Sequence, residues 1–212
     1  MDGLRLEPAS GGAPRQLVVL LHGLGADAQD LFGLAPAWAA AAPEAAFVAL
    51  DAPDAYADAP FGRQWFPLGD CRPAVLTAAI RAAGPALEER LAALLAAEAV
   101  PAAGLVLMGF SQGAMMALQV GLRRATPPAG IMAFSGALLD PPASRTTPWP
   151  PVLLVHGRED EVVPAAASAQ AEAALRALGA PVSTLFVPGL GHGIDDSGLA
   201  AGAEFLRRVT SR

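Results

Sequence analysis

The sequence predicts an α/β fold in which a mostly parallel central sheet carries helices on both faces. Three observations lead to this prediction: six short apolar runs, a lack of polar alternation within most of them, and helical stretches between most of them. Strands buried on both faces appear as continuous apolar runs, as in parallel sheets covered by helices. Because strand and helix alternate along the whole chain, we expect one domain over residues 1–212.

The elements follow from the apolar periodicity and from the glycines and prolines that bound it. The predicted strands are residues 16–22, 46–50, 105–110, 130–134, 152–156 and 182–187. The predicted helices are residues 30–42, 73–97, 112–124, 164–178 and 194–209. The Gly84-Pro85 pair predicts a break or kink in the second of these helices.

Two long segments, residues 52–71 and 136–151, lack periodicity and follow strand ends. Loops of this length in a compact domain are usually functional or disordered, and ligands bind at the carboxyl ends of strands in open α/β sheets. The second segment is too short for a helical cap. We therefore expect no cap domain and an open, shallow pocket.

Composition excludes several classes of partner. The net charge is −6 and all 14 basic residues are arginine, without a basic stripe that could neutralise phosphates, so nucleic acid is not an expected partner. No apolar stretch reaches the ~18 residues of a spanning helix, so integral membrane association is not expected. The first ten residues lack a basic region followed by an apolar one, which favours a cytoplasmic location. Composition leaves the oligomeric state open, a homodimer included.

Residues 109–113 (GFSQG) form a G-x-S-x-G between an apolar run and a helical run. This is the strand–turn–helix context of a nucleophile elbow, with Ser111 as the candidate nucleophile. Small residues at both ends let the strand and the helix approach each other. The alternative interpretation is that Ser111 only caps the helix.

A serine nucleophile needs a base, and His192 lies in a glycine-rich turn, residues 189–193 (GLGHG), after the last predicted strand. The other two histidines, His22 and His156, end apolar strands. For these two we favour a packed, hydrogen-bonded histidine over a catalytic one. His192 is therefore the predicted base.

The orienting acid should lie between the serine and the histidine in chain order. Asp160 meets this condition in the loop after the fifth strand, although Glu159 and Glu161 flank it and could serve in principle. Asp195 and Asp196 are nearer to the histidine in sequence, but acidic residues are expected at a helix N-terminus for the helix dipole alone. Asp160 is the predicted acid.

The tetrahedral intermediate needs two backbone donors. The first is the N–H of Gln112, the residue after the nucleophile. The second comes from the loop after the first strong strand, residues 22–27 (HGLGAD), where we choose the N–H of Leu24. The same turn would also serve as a tight strand-to-helix connection.

Four motifs in order make a more specific pattern than the elbow alone: residues 21–27 (LHGLGAD), 109–114 (GFSQGA), 156–164 (HGREDEVVP) and 191–193 (GHG). With them, the chain from about residue 16 to 209 resembles the phospholipase/carboxylesterase family of α/β hydrolases. Its bacterial esterase branch is more similar than the eukaryotic acyl-protein thioesterases. The resemblance implies serine-dependent hydrolysis of carboxylic esters without a metal or another cofactor. It also implies that residues 62–66 (GRQWF) line the substrate site, with Trp65, Phe66 and Gly23 contacting substrate.

The sequence therefore predicts a serine carboxylesterase that acts on short- to medium-chain esters through an acyl-enzyme. Lysophospholipase or acyl-protein thioesterase activity is the alternative within the enzyme class. A hydrolase fold that works as a binding module without catalysis is the alternative outside it.

Overall fold

A computed structural model describes residues 3–58 and 61–211. Its strands are β1 (Gly3–Leu6), β2 (Gln16–Leu21), β3 (Ala45–Leu50), β4 (Asp54–Ala55), β5 (Arg63–Gln64), β6 (Leu105–Phe110), β7 (Gly130–Phe134), β8 (Val152–Gly157) and β9 (Val182–Val187). Its helices are α1 (Ala28–Phe32), α2 (Leu34–Ala39), α3 (Pro73–Ala97), α4 (Gln112–Gly121), α5 (Ala166–Ala177) and α6 (Asp196–Thr210).

Seven strands form one sheet in the order β1-β3-β2-β6-β7-β8-β9. The pairs from β3 to β9 are all parallel, and only β1 runs antiparallel to its neighbour. The carboxyl ends of the six parallel strands therefore share one edge, where the loops after them meet. The predicted single α/β domain with a mostly parallel sheet is confirmed.

The sheet separates two apolar cores. One core packs α3, α4 and α5 on one face, and the other packs α1, α2 and α6 on the opposite face. Successive residues of β2 alternate between them: Leu17 and Val19 belong to the first core, and Val18 and Leu20 to the second. This two-sided burial explains why the central strands are continuous apolar runs.

The edge strand β1 was not predicted, because its four residues are too few and too exposed for a periodic pattern. It is held by pairing with β3 and by an ion pair of Arg5 with Glu98, in which Nε and Nη2 each lie 2.8 Å from a carboxylate oxygen. Both stabilising contacts come from distant parts of the chain.

The helix predicted over residues 30–42 is two short helices that meet at Gly33. A continuous helix would need the N–H of residue 36 to bond the carbonyl of Phe32, and residue 36 is a proline. Restarting the helix at Leu34 places Pro36 in a first turn, where no N–H is required.

Of the predicted break or kink at Gly84-Pro85, the break is wrong, because α3 is one 25-residue helix with Pro85 inside it. A kink there stays a prediction. Proline costs one backbone hydrogen bond there. Ile80 before the proline and Leu87 and Leu91 after it are all buried in the same core, and this packing offsets the lost bond.

The two irregular segments lie where expected, after β3 and after β7. The first contains a small antiparallel pair, β4 with β5, and residues 136–151 contain no helix or strand. No helix in the described part of the chain is both long enough and apolar enough to cross a membrane.

Candidate active site

Ser111 occupies a strained turn between β6 and α4. Its φ of 53° and ψ of −117° lie in a region that non-glycine residues seldom adopt, and such strain persists where the surrounding structure imposes it. The packing around the turn requires glycine on both sides. A Cβ at Gly109 would lie 2.2 Å from the carbonyl oxygen of Gly113, and one at Gly113 would lie 2.0 Å from that of Leu21.

His192 and Asp160 meet at the same edge of the sheet. His192 lies in the turn between β9 and α6, and its Nδ1 is 2.7 Å from Asp160 Oδ2 in the loop after β8. Asp160 is an acceptor, so Nδ1 carries the proton and Nε2 is left with a lone pair. The Phe110 ring packs on the imidazole with the ring centroids 4.8 Å apart.

The carboxylate of Asp160 is buried but well supplied with donors. Oδ1 accepts hydrogen bonds from the amides of Val162 and Val163, both at 2.9 Å. Burial by itself raises the pKa of Asp160, but the hydrogen bonds from His192, Val163 and Val162 outweigh it and hold the pKa below its ordinary value. The group is therefore a carboxylate at neutral pH.

The other acidic candidates have different partners. Glu159 accepts a hydrogen bond from the Gly189 amide at 2.6 Å, which ties the acid loop to the turn that carries His192. Asp195 caps α6 by accepting from the Gly198 amide at 2.9 Å, and Asp196 lies in the first turn of that helix. Of the acids considered in the sequence, Asp160 is the one in contact with the imidazole.

Ser111 and His192 line one cavity of about 160 Å³, together with Gly23, Leu24 and Phe110. No hydrogen bond joins the Ser111 hydroxyl to another residue of the described chain. Bonds of this kind are often long in enzymes without substrate and tighten in the reacting complex. The arrangement brings a serine hydroxyl, an imidazole and a buried carboxylate to one small cavity.

The loop after β2 lines this cavity with Gly23, Leu24 and Ala26. Within the described residues, neither the Leu24 N–H nor the Gln112 N–H donates to an acceptor. His22 Nδ1 lies 2.7 Å from the Gly23 carbonyl oxygen, and the Ala52 amide donates to His22 Nε2 at 2.9 Å. Because a peptide's N–H and C=O point in opposite directions, holding the Gly23 carbonyl also orients the Leu24 N–H.

His22 does this as a neutral group. An amide N–H can only donate, so Nε2 is the acceptor and Nδ1 carries the proton. Burial lowers the pKa of His22 by more than the hydrogen bond to the Gly23 carbonyl raises it. The His22 ring is 1% exposed, and it packs against Trp65 with the ring centroids 5.4 Å apart.

The segment after β3 braces the same loop. Gly25 N–H donates to the Arg63 carbonyl at 2.9 Å, and Arg63 N–H donates to the Ala26 carbonyl at 3.0 Å. Trp65 Nε1 donates to the His22 carbonyl at 2.8 Å. This strand-like pairing fixes where the loop lies relative to Ser111.

The side chain of Gln112 completes this brace. Its Oε1 accepts from the Trp65 amide at 2.8 Å, and its Nε2 donates to the Phe66 carbonyl at 2.8 Å. Both terminal atoms are thus engaged, and the residue is 2% exposed. Gln112 therefore combines a backbone N–H that has no acceptor among the described residues with a side chain that holds the segment bracing the 22–26 loop.

Trp65 and Phe66, expected to contact substrate, are both buried. They do not line the cavity that contains Ser111. Instead they line a neighbouring apolar cavity of about 450 Å³ between α3 and the segment after β3. Gly23 does line the cavity of Ser111. The structure assigns Trp65 a bracing contact, and substrate contact by Trp65, Phe66 or Gly23 stays a prediction.

The sequence predicted that residues 62–66 line the substrate site, but not that Arg63 braces the 22–26 loop. It indicated no part in the site for the His22 ring or for the side chain of Gln112. The sequence shows His22 after an apolar strand and Arg63 inside an aromatic segment. It does not indicate their hydrogen-bond partners, because those partners are distant in sequence. Among the described residues, no group of three or more His, Cys, Asp or Glu side chains could hold a metal ion.

The fold is that of the α/β hydrolases, with a serine at the strained strand-to-helix turn of a parallel sheet. The crystal structure of esterase PE8 superposes with a TM-score of 0.91 at 41% identity over 98% of both chains. The chain belongs to the phospholipase/carboxylesterase family, which matches it over residues 8–210. It is therefore a hydrolase of the serine class, and the family predicted from the motifs is confirmed.

Two curated relatives agree with this assignment. Esterase YpfH of Escherichia coli (strain K12) is 29% identical over 193 residues, covering 91% of this chain and 82% of the relative. Acyl-protein thioesterase 1 of Gibberella zeae is 34% identical over 114 residues, about half of each chain at 49% and 47%. The bacterial esterases therefore match the chain over more of its length than this thioesterase does.

Proposed function

We propose that this protein hydrolyses short- to medium-chain carboxylic esters through an acyl-enzyme formed on Ser111. The observation that carries the proposal is the 2.7 Å contact of His192 with Asp160, beside a cavity that His192 shares with Ser111. The esterase names of PE8 and YpfH support the reaction class. A cytoplasmic location stays a prediction from the sequence.

The proposed reaction begins when His192 Nε2 accepts the proton of the Ser111 hydroxyl. Ser111 Oγ then bonds to the ester carbonyl carbon, and the electron pair of the C=O bond moves to oxygen. His192 returns the proton to the departing alcohol as the carbonyl re-forms. Asp160 holds the imidazole in the required tautomer and stabilises its cationic form. Water repeats the sequence and releases the acid.

The negative oxygen of the intermediate would be bound by the N–H groups of Leu24 and Gln112. Each such donor is worth on the order of 3 kcal/mol of barrier when it is held in place before the reaction. Neither N–H has an acceptor in the described part of the chain, which supports this assignment.

The size of the cavity supports a preference for small acyl groups. Pockets for drug-sized ligands have volumes of about 300–1,000 Å³, and the cavity at Ser111 has about 160 Å³. A short acyl chain fits such a volume, and a long lipid chain would have to extend beyond it.

Ser111→Ala tests the proposal directly. We expect a folded protein that loses hydrolysis of p-nitrophenyl butyrate and is not labelled by a fluorophosphonate probe. Ser135→Ala is a matched control, since Ser135 also follows a strand of the sheet with a positive φ, 49°, and is buried. Turnover of the folded Ser111→Ala protein near the wild-type rate would refute the nucleophile, and a wild type that is not labelled would favour a binding module.

The acyl preference is tested with esters from acetyl to palmitoyl, together with a thioester and a lysophospholipid. We expect kcat/KM to rise to a maximum between about C4 and C8, because each CH₂ that fits adds up to ~0.8 kcal/mol and one that does not fit adds nothing. Trp65→Ala removes both a wall of the neighbouring apolar cavity and the indole N–H that bonds the His22 carbonyl, so it should lengthen or flatten this profile and also lower kcat for every ester. A steady rise to palmitoyl would instead indicate a lysophospholipase or thioesterase.

A further inference from the structure

His156 is a buried histidine near the end of β8 whose two ring nitrogens are both engaged. Nδ1 lies 2.6 Å from the Ser168 hydroxyl, and Nε2 lies 2.8 Å from the Val163 carbonyl oxygen. Nε2 is also 3.2 Å from Asp160 Oδ2, the oxygen that contacts His192. The side chains of His156 and Asp160 are both fully buried.

The partners determine the tautomer of His156. A carbonyl oxygen and a carboxylate oxygen can only accept, so Nε2 carries the proton and shares it between Val163 and Asp160. In the neutral ring Nδ1 is then an acceptor, and the Ser168 hydroxyl donates to it. Ser168 is 2% exposed and lies on α5, so the helix that packs on β8 fixes the orientation of the ring.

This arrangement gives Asp160 Oδ2 two nitrogen donors from two histidines with different exposure. His192 lies at the cavity, and its side chain is 18% exposed. His156 is on the inner side and has no contact with the cavity of Ser111. Because His156 also contacts Oδ2, this oxygen keeps one hydrogen-bond partner whose surroundings stay the same when His192 gains or loses a proton.

We propose that His156, oriented by Ser168, is a positioning residue that holds Asp160 Oδ2 against His192 Nδ1. The inference rests on the proposed roles of Asp160 and His192 in hydrolysis. His156 takes no part in proton transfer. It restricts the carboxylate and the 160–163 loop to the one geometry in which Oδ2 meets the base.

Two substitutions test the contacts of the two His156 ring nitrogens separately. His156→Asn keeps an acceptor near the place of Nδ1 for Ser168 but cannot reach Asp160. His156→Gln carries an amide N–H out to the place of Nε2. Because a hydrogen bond to a charged group is lost, we expect His156→Asn to lower kcat about tenfold or more with KM nearly unchanged, and His156→Gln to recover most of that loss. Equal losses in both variants at matched thermal stability would overturn the proposal.

A double-mutant cycle with Asp160→Ala tests whether His156 acts through the carboxylate. We expect His156→Asn to change the residual kcat/KM of the Asp160→Ala protein by less than about twofold, because the group it positions is gone. A loss of the same size in both backgrounds would show a role in the fold alone and would overturn the proposal. Wild-type activity in Asp160→Ala itself would instead refute the proposed acid.

Nitrogen-15 NMR of the wild-type protein near neutral pH gives a measurement that is independent of activity. We expect His156 to be protonated at Nε2 and unprotonated at Nδ1. The downfield proton of the His192–Asp160 hydrogen bond should move in His156→Asn and stay in place in His156→Gln. Protonation at Nδ1, or a downfield proton that is the same in all three proteins, would contradict the proposal.

Discussion

Two loops at the carboxyl edge of the sheet build the site, and they are held in different ways. In the acid loop, residues 157–164, the Asp160 carboxylate is held by near neighbours in sequence: the Val162 and Val163 amides bond it, and His156 precedes it by four residues. Glu159 ties the rest of this loop to Gly189. Residues 22–26, the loop proposed to bind the oxyanion and called the oxyanion loop below, are supported by distant residues. Ala52, Arg63 and Trp65 hold it by hydrogen bonds.

Because the two loops are held differently, substitutions near each of them should impair catalysis in different ways. A change near Asp160 affects the base directly and leaves the oxyanion donors in place. A change in the 52–71 segment can displace the oxyanion loop while His192 and Asp160 remain in contact. The Gln112 side chain joins the 52–71 segment to the nucleophile turn. Kinetics can therefore compare a loss that comes from the base with a loss that comes from the oxyanion loop.

The largest effect is expected from Asp160→Asn, which should lower kcat by roughly 10⁴ because the imidazole loses its required tautomer. Asp195→Asn is the matched control, since Asp195 caps α6 and contacts no group at the site. Steady-state kinetics on p-nitrophenyl butyrate should leave that control near wild type. A large loss in Asp195→Asn with none in Asp160→Asn would reverse the assignment of the acid.

A smaller effect is expected from Trp65→Phe, which removes the indole N–H that bonds the His22 carbonyl. Trp38→Phe removes a similar bond, to the Leu199 carbonyl at 2.9 Å, on the far face of the sheet. Both variants should lose about 1 kcal/mol of stability from the hydrogen bond. Only Trp65→Phe should lower kcat, by about tenfold, because an oxyanion donor shifts.

Chemical denaturation and kinetics on the same four proteins, the wild type, both tryptophan variants and Asp160→Asn, provide the measurement. Equal kcat in the two tryptophan variants would show that the oxyanion loop does not depend on its distant brace. That outcome would remove the distinction drawn between the two loops.

The smallest effect is a dependence of stability on pH. Burial lowers the pKa of His22 below its ordinary 6.5, so its stabilising contribution is present above that pH and is lost as pH falls toward the folded-state pKa. The pKa of Asp160 is also lowered, but from 3.8, so its contribution is lost only in more acidic solution. Urea unfolding at about pH 7.5 and 5.5 should show a loss of stability that is reduced in His22→Asn. A loss of the same size in His22→Asn would assign it to other groups.

Much of the architecture could be predicted because it depends on local pattern. Continuous apolar runs identified every parallel strand, and the bounds of β6, β7 and β9 agree with the prediction. The glycines around Ser111 indicated a tight turn, and the geometry requires them. The errors at β1 and at Pro85 occur where pairing or packing with distant residues outweighed a weak local preference. The error at Gly33 has a local cause, since Pro36 has no N–H to continue the helix.

By itself the sequence determined the two-sided burial of the sheet, the order of the motifs along the chain, and the family, because each depends on residue types at short spacing. Only the tertiary structure showed which groups His22 and His156 bond: the Gly23 carbonyl and the Ala52 amide for His22, and Ser168, Val163 and Asp160 for His156. It also decided that Trp65 faces the oxyanion loop. Those contacts join residues that chain folding brings together, and a hydrogen bond between such residues leaves no periodicity in the sequence by which it could be predicted.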